Sequence, residues 1–267
     1  MKIIRFLDPK KQIRLGVLDG GGDQCNALLI AGDLFGKYRL TRQTARIKKL
    51  LAPIVPPNIL CIGLNYRKHA EETGAAIPER PVLFIKATTA LTNPGDPIIL
   101  PAIAPSEVDY EVELCVVIGK TARNVAEKDA KKYILGYTVA NDVSARDEQI
   151  RLDKQWARGK SHDTFCPLGP CLLVGEKIFD PDSANLRSRL NGKTMQDSNT
   201  NDLIFSVSHL VSFLSCNMTL LPGTAILTGT PSGVGVARKP PVFLRAGDSM
   251  ECEVEGIGVL RNPIRAA

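Results

Sequence analysis

The sequence predicts a mainly β, α+β protein, built as a sandwich, roll or barrel and not as alternating βαβ units. Three observations carry this. Short apolar or alternating runs recur between dense turn residues, among them Pro94-Gly95, Pro101, Pro105, Gly169-Pro170, Pro222-Gly223 and Pro240-Pro241. Convincing helical stretches are few and short. The chain has 267 residues, 44% of them hydrophobic, enough for one large domain or a large one with a small one attached.

Taken in order, residues 1–52 read as a small N-terminal β domain. Runs 3–7 and 12–18 are strand-like and joined by Asp8-Pro9-Lys10-Lys11, a turn composition. Gly20-Gly21-Gly22-Asp23 is a second turn before the apolar run 27–31, and Pro53, Pro56 and Pro57 mark a connector. Residues 53–267 form the larger unit. Its β-rich runs are 82–86, 97–100, 107–118, 135–143, 171–175, 225–228 and 248–255, and helices are expected at 68–73, 126–133, 144–153 and 203–215.

Charge and composition remove several function classes. The net charge is +6, and the surplus is confined to residues 1–50, with 11 Lys and Arg against 4 Asp and Glu. The basic stretch 37–49 has one aromatic, Tyr38, and no reader motif; it is expected to be a solvated helix or linker, with no nucleic-acid partner. No apolar run reaches the ~18 residues of a membrane helix. The best, 210–227, is broken by Ser212, Ser215, Asn217, Thr219 and Pro222, so no membrane partner is expected. The N-terminus resembles neither a secretion signal nor a transit peptide. Seven scattered cysteines without CxxC point to reduced thiols and a cytoplasmic location. Three histidines exclude a His-rich metal site.

Glu107-Val108-Asp109-Tyr110-Glu111-Val112-Glu113-Leu114 alternates with period two, so four carboxylates share one strand face with no Lys or Arg between them. The strand runs into Cys115-Val116-Val117-Ile118, apolar on both faces. A wet antiparallel face explains the pattern, and so does a cation among the acids. Asp142, in an apolar strand, is a third ligand for Glu111 and Glu113, because a lone buried carboxylate is costly unless paired or metal-bound. Three carboxylates select Mg²⁺, Mn²⁺ or Ca²⁺ over Zn²⁺.

From about residue 55 onward the chain resembles the fumarylacetoacetate hydrolase family. The resemblance rests on Gly63-Leu64-Asn65-Tyr66-Arg67-Lys68-His69-Ala70-Glu71-Glu72, on Asp109-Tyr110-Glu111-Val112-Glu113-Leu114, and on Asn141-Asp142-Val143-Ser144-Ala145-Arg146-Asp147. It continues in Gly159-Lys160-Ser161 and in 226–235, which contains Thr228-Gly229-Thr230-Pro231-Ser232-Gly233. Phe165-Cys166-Pro167-Leu168-Gly169-Pro170 and Arg238-Lys239-Pro240-Pro241 are closest to its subgroup of fumarylacetoacetate hydrolase domain-containing protein 2. The resemblance implies a mixed β-sandwich roll, a homodimer, and Mg²⁺ or another divalent ion on Glu111, Glu113 and Asp142.

His69 and Glu72 stand three apart and share a helix face. A solvated loop histidine is one reading; a general base oriented by a carboxylate is the other, and the resemblance favours it. Lys160 reads as an ordinary surface lysine or as a stabiliser of developing negative charge. Arg146 either forks a substrate carboxylate or pairs with Asp147 or a neighbouring acid. By resemblance Lys160, Arg146, Gln149 and Thr230 are substrate-contacting positions. Thr230 lies in a glycine-rich turn where hydroxyl and backbone N–H can face an oxyanion. Relatives usually carry Phe where this chain has His162, expected to pack beside Phe165 unless it lines the pocket. His209 is expected to be a satisfied core or helix histidine.

The resemblance thus implies an enzyme acting on small 2-oxo or 2,4-dioxo acids through an enolate stabilised by the ion. C–C bond hydrolysis of the acylpyruvate or fumarylacetoacetate type is the first expectation. Oxaloacetate keto–enol tautomerisation, isomerisation or decarboxylation at the same site is the alternative. A non-catalytic, metal-stabilised binding protein is the alternative of another class.

Overall fold

The computed structural model describes residues 1–18, 26–175 and 179–267; the turn expected at 20–23 lies outside them. The architecture is a mixed β-sandwich roll. Its centre is the Val112–Ile118 strand, buried at every position, as a run apolar on both faces requires. Ile134–Asn141 pairs antiparallel on one side, from Val112 opposite Asn141 to Val117 opposite Gly136, and Ala225–Leu227 pairs antiparallel on the other. Beyond them lie Cys166–Val174 on one flank, and Ile59–Gly63 followed by Val82–Lys86 on the other.

The N-terminal strands extend this same sheet. Lys2–Leu7 hydrogen-bonds Cys166–Val174, and Ile13–Leu18, Asn26–Gly32 and Tyr38–Arg46 follow as a meander. The basic stretch expected as a helix or linker is therefore mostly a strand. It sits at the sheet edge, where exposed charge is tolerated and discourages edge-to-edge pairing.

Among the described residues a second sheet has five strands, ordered Lys193–Asn199, Asn185–Leu190, Ser249–Val254, Gly258–Ala266 and Ile98–Leu100. It packs on the first, sharing one core that includes Leu114, Leu186, Cys252 and Leu260. Asn191-Gly192, both with positive φ, turn the hairpin that carries Gln196. That dipeptide is a strong hairpin signal in the sequence.

Helices are short. Arg67–Thr73 closes on Gly74 in the left-handed conformation. The stretch expected at 203–215 forms Val207–Asn217, capped by the Ser206 hydroxyl, which accepts the His209 N–H at 3.2 Å. Residues 126–133 form a 3₁₀ segment, Glu127–Tyr133. The helix expected at 144–153 is instead a two-residue strand, Ser144–Ala145, followed by a π-helical turn, Asp147–Leu152. No helix of the described residues is long and apolar enough to cross a membrane. The six cysteines among the described residues are all free thiols, five of them buried.

Candidate active site

The continuous strand expected at 107–118 is interrupted. Val108–Asp109 pairs with Ser144–Ala145 in a small ladder, Val112–Ile118 joins the central sheet, and Tyr110-Glu111 is the junction. The Asn141 side chain accepts the Glu111 N–H at 3.0 Å, and the Glu111 carbonyl accepts the Asp142 N–H at 2.9 Å. This stitching brings Glu111, Glu113 and Asp142 together. All three are buried, and one oxygen from each lies within 4.8 Å of the others.

The acids are not left to a metal alone, which corrects the expectation drawn from a strand without basic neighbours. Cations arrive from other segments. Lys160 Nζ donates to Glu111 Oε2 and Asp142 Oδ2, both at 2.8 Å. Lys86 Nζ donates to Asp142 Oδ1 at 2.6 Å and to the Val143 carbonyl at 3.0 Å. Arg146 is not a free fork. Its Nη2 lies 2.7 Å from Glu111 and 2.8 Å from Asp109, its Nε donates to Asp109, and its Nη1 donates to Gln149 Oε1.

Glu113 is the exception. It makes no ion pair among the described residues and accepts the Gly229 N–H at 2.6 Å. Burial, then the neighbouring Asp142 and Glu111, push its carboxyl well above the usual carboxylate range. Burial pushes Glu111 the same way, but Lys160 and Arg146 outweigh it and hold Glu111 at about 2. The buried cluster of Asp109, Glu111, Glu113 and Asp142 thus holds one more carboxylate than the three cations Lys86, Arg146 and Lys160 can match. An all-oxygen set with one uncompensated acid fits a hard dication.

The glycine-rich turn after Ala225–Leu227 serves these carboxylates. Gly229 N–H donates to Glu113, Gly233 N–H to Glu72 Oε2 at 2.9 Å, and Gly235 N–H to Asp109 Oδ1 at 2.7 Å. Gly235 has no room for a side chain, since a Cβ there would lie 1.9 Å from the Val242 carbonyl and 2.5 Å from Asp109.

Above the acids lies a cavity of about 600 Å³, within the range of small-molecule sites. Glu111, Glu113, Lys160, Arg146, Gln149, Thr230 and His69 all line it. His69 Nδ1 is 2.7 Å from Glu72 Oε1. Glu72 is itself held by Gly233, so ring orientation is fixed from the second carboxylate oxygen. Thr230 departs from the oxyanion expectation: its hydroxyl donates to the Val112 carbonyl at 3.1 Å and accepts from Gln196 Nε2 at 2.7 Å. Lys160 also lies over the Phe84 ring, 5.1 Å from its centre.

His162 packs beside Phe165, with ring centres 5.0 Å apart, and its Nε2 lies 2.6 Å from Glu148 Oε2. It is not among the cavity-lining residues. His209 is on its helix but not in the core; it stacks against Phe205 and Phe213 and faces Glu127 at 3.2 Å. Lys86 and Gln196 carry no signal in the sequence, yet they hold Asp142 and Thr230, and Asp109, one of the four acids of the face, holds Arg146.

The fold and site together define a class: a two-sheet β roll that gathers a buried carboxylate triad beneath a cavity with a carboxylate-paired histidine in its wall. The chain belongs to the fumarylacetoacetate hydrolase family. The model of that family's C-terminal domain, described as fumarylacetoacetate (FAA) hydrolase C-terminal, matches residues 58–265. A second model, described as Rv2993c-like, N-terminal, matches residues 1–53. The chain is 49% identical to the fumarylacetoacetate hydrolase domain-containing protein 2 homolog of Dictyostelium discoideum, over 81% of this chain and 74% of that protein. It is also 49% identical to the oxaloacetate tautomerase fahd2, mitochondrial, of Xenopus laevis, over 80% of this chain and 68% of that protein. Among solved structures, 5-carboxymethyl-2-hydroxymuconate delta-isomerase from Mycobacterium smegmatis superposes with a TM-score of 0.87 at 41% identity, each chain fully covered. Fumarylpyruvate hydrolase from Pseudomonas aeruginosa, in complex with Mn²⁺ and pyruvate, superposes at 0.73 and 28% identity, over 85% of this chain and 93% of that one. Members of the family are thus tautomerases, isomerases and hydrolases.

Proposed function

We propose that this chain is a divalent-metal-dependent keto–enol tautomerase of a small 2-oxo acid, with oxaloacetate as the representative substrate. The observation that carries the reading is the placement of His69, paired with Glu72 behind it, in the wall of the cavity that Glu111 and Glu113 also line. The tautomerase named among the relatives at 49% identity supports it over C–C hydrolysis, the first expectation from sequence.

A hard dication on Glu111, Glu113 and Asp142, with Mg²⁺ as the proposed ion, supplies Lewis-acid polarisation of the 2-oxo group when bound. The remaining work belongs to side chains. With Nδ1 engaged by Glu72, His69 has Nε2 left to take a proton from one end of the enol system. The same imidazolium returns a proton to C3, so the keto form leaves with atoms and charge conserved. Lys160, buried and cationic, stabilises the negative charge that develops on the substrate oxygen. Gln149 and Arg146 orient the acid end, Arg146 through the network it shares with Asp109 and Glu111.

The test follows the decay of enol-oxaloacetate absorbance in Mg²⁺, beside pyruvate release from acylpyruvates. Enol decay that falls about 10²–10⁴-fold in His69→Ala supports the reading. Full turnover in His69→Ala, or turnover of acylpyruvates alone, overturns it. C–C hydrolysis is the second reading, favoured by the likeness to a fumarylpyruvate hydrolase. Absence of turnover on every 2-oxo acid would favour a metal-stabilised binding protein. We further propose a homodimer, a cytoplasmic location and the division into units 1–52 and 53–267.

A further inference from the structure

Most charged groups in the cavity wall are already spoken for. Glu111 is shared by Lys160 and Arg146. Asp153 is gripped by Arg158, whose Nε donates to Oδ2 at 2.6 Å and whose Nη2 donates to Oδ1 at 2.9 Å. Arg158 is anchored in turn, since its Nη1 donates at 2.6 Å to the buried Glu148, which also holds His162. One cation of the wall is left over. Lys154 lines the cavity and has no ion pair or hydrogen bond among the described residues. Asp153, the residue before it and also in the cavity wall, is committed to Arg158.

The backbone that presents Lys154 is fixed on both sides. Before it stands the Asp153–Arg158–Glu148 clamp. After it stands Trp156, whose ring packs edge-on against Phe84 with centres 5.5 Å apart. Trp156 fits only because residue 63 is glycine, where a Cβ would lie 2.3 Å from the indole. These anchors place the backbone of Lys154 at the cavity wall, with its side chain exposed there.

We infer that Lys154 is a specificity-determining residue that receives the distal carboxylate of a dicarboxylic 2-oxo acid. The inference rests on the reading of this cavity as a 2-oxo acid site. The cations at the floor, Lys160 and Arg146, are tied to Glu111, so a second substrate carboxylate needs a cation elsewhere. An exposed ammonium bound to a carboxylate in the wall gives a modest, specific preference, not the whole affinity.

The experiment compares oxaloacetate with its 4-methyl ester, which keeps the skeleton and loses the distal charge. Turnover and binding by calorimetry are both measured in Mg²⁺, on wild type, Lys154→Gln and Lys154→Glu. The wild type is expected to prefer oxaloacetate about two- to fivefold in kcat/KM and Kd. Lys154→Gln erases that ratio and Lys154→Glu inverts it. A ratio unchanged in both variants overturns the inference. So does an equal fall on both substrates, which marks a purely structural residue. Loss of the binding preference in a protein that turns over neither substrate upholds Lys154 while refuting the tautomerase reading.

Discussion

Replacing Glu113 by glutamine probes the acid cluster through its one uncompensated member. The amide keeps the shape and removes the charge, and its oxygen still accepts the Gly229 N–H. Glu113 is 1% exposed, with no Lys or Arg among the described residues ion-paired to it and with Asp142 and Glu111 opposing its charge. In EDTA the variant is therefore expected to be as stable as wild type or more so, because an unpaired buried charge is a cost to the fold. Bound metal reverses the comparison. At a free ion concentration of about 100 Kd, a single site adds about 2.7 kcal/mol. At roughly 2–4 °C per kcal/mol for a chain of this size, wild type gains about 5–11 °C. Glu113→Gln, lacking one of three charged ligands, is expected to lose nearly all of that gain. Thermal melts by circular dichroism, first in EDTA and then in a Mg²⁺ or Mn²⁺ titration, measure both quantities. A variant several degrees less stable in EDTA, or one that keeps the wild-type gain in metal, refutes the reasoning.

Gln196→Ala should be among the costlier single changes. Its Oε1 accepts from Val112 N–H and the Ser188 hydroxyl, and its Nε2 donates to Thr230 and the Pro231 carbonyl. With each orphaned buried group worth about 1–3 kcal/mol, a loss of at least about 3 kcal/mol is expected in urea unfolding. Gly63→Ala drives a methyl into the indole of Trp156, the one tryptophan of the chain. Overpacking there should cost about 1–3 kcal/mol and shift the tryptophan emission, and unchanged emission would contradict the geometry. Asp8→Asn gives a pH signature. The Gln12 N–H, assisted by Arg14 and the Lys10 N–H, holds Asp8 below the usual aspartate range. A depressed folded-state value contributes stability above the unfolded-state value, and that contribution is lost as pH falls through the folded one. The melting-temperature deficit of Asp8→Asn should therefore be full at neutral pH and shrink in acid; a deficit independent of pH would sink the assignment.

Whatever repeats locally in the chain was readable before the fold. Cys115 to Ile118, apolar at every position, announced a central strand, and the period-two acids beside it marked Glu111 and Glu113 as neighbours on one face, though not the break at Tyr110-Glu111. Asp142 could be added because a carboxylate in an apolar strand needs a partner. What could not be read is what meets those acids in space. Lys86 reaches Asp142 across 56 residues, Arg146 reaches Asp109 across 37, and Gln196 reaches Val112 across 84. Such pairings depend on sheet order, which has no short-range pattern. The edge strand Tyr38–Arg46 was hidden for a different reason. Only its partner strand and the edge location make a polar, charged run extended, and neither is visible in its composition.

The long-range cations also explain why the acids do not simply repel one another. Lys86, Lys160 and Arg146 neutralise all but one charge of the buried quartet. Had they been absent, four carboxylates in a dry interior would have protonated or unfolded the junction at Tyr110-Glu111. Had there been a fourth cation, the cluster would be neutral and a dication would find only competition. One surplus carboxyl sits between these limits. Burial and the neighbouring Asp142 and Glu111 make Glu113 resist ionising on its own, so a dication that joins the floor does so against that proton. On the proposed function, binding of the ion is therefore expected to be coupled to loss of the Glu113 proton, so metal affinity should rise with pH and Glu113→Gln should flatten that dependence.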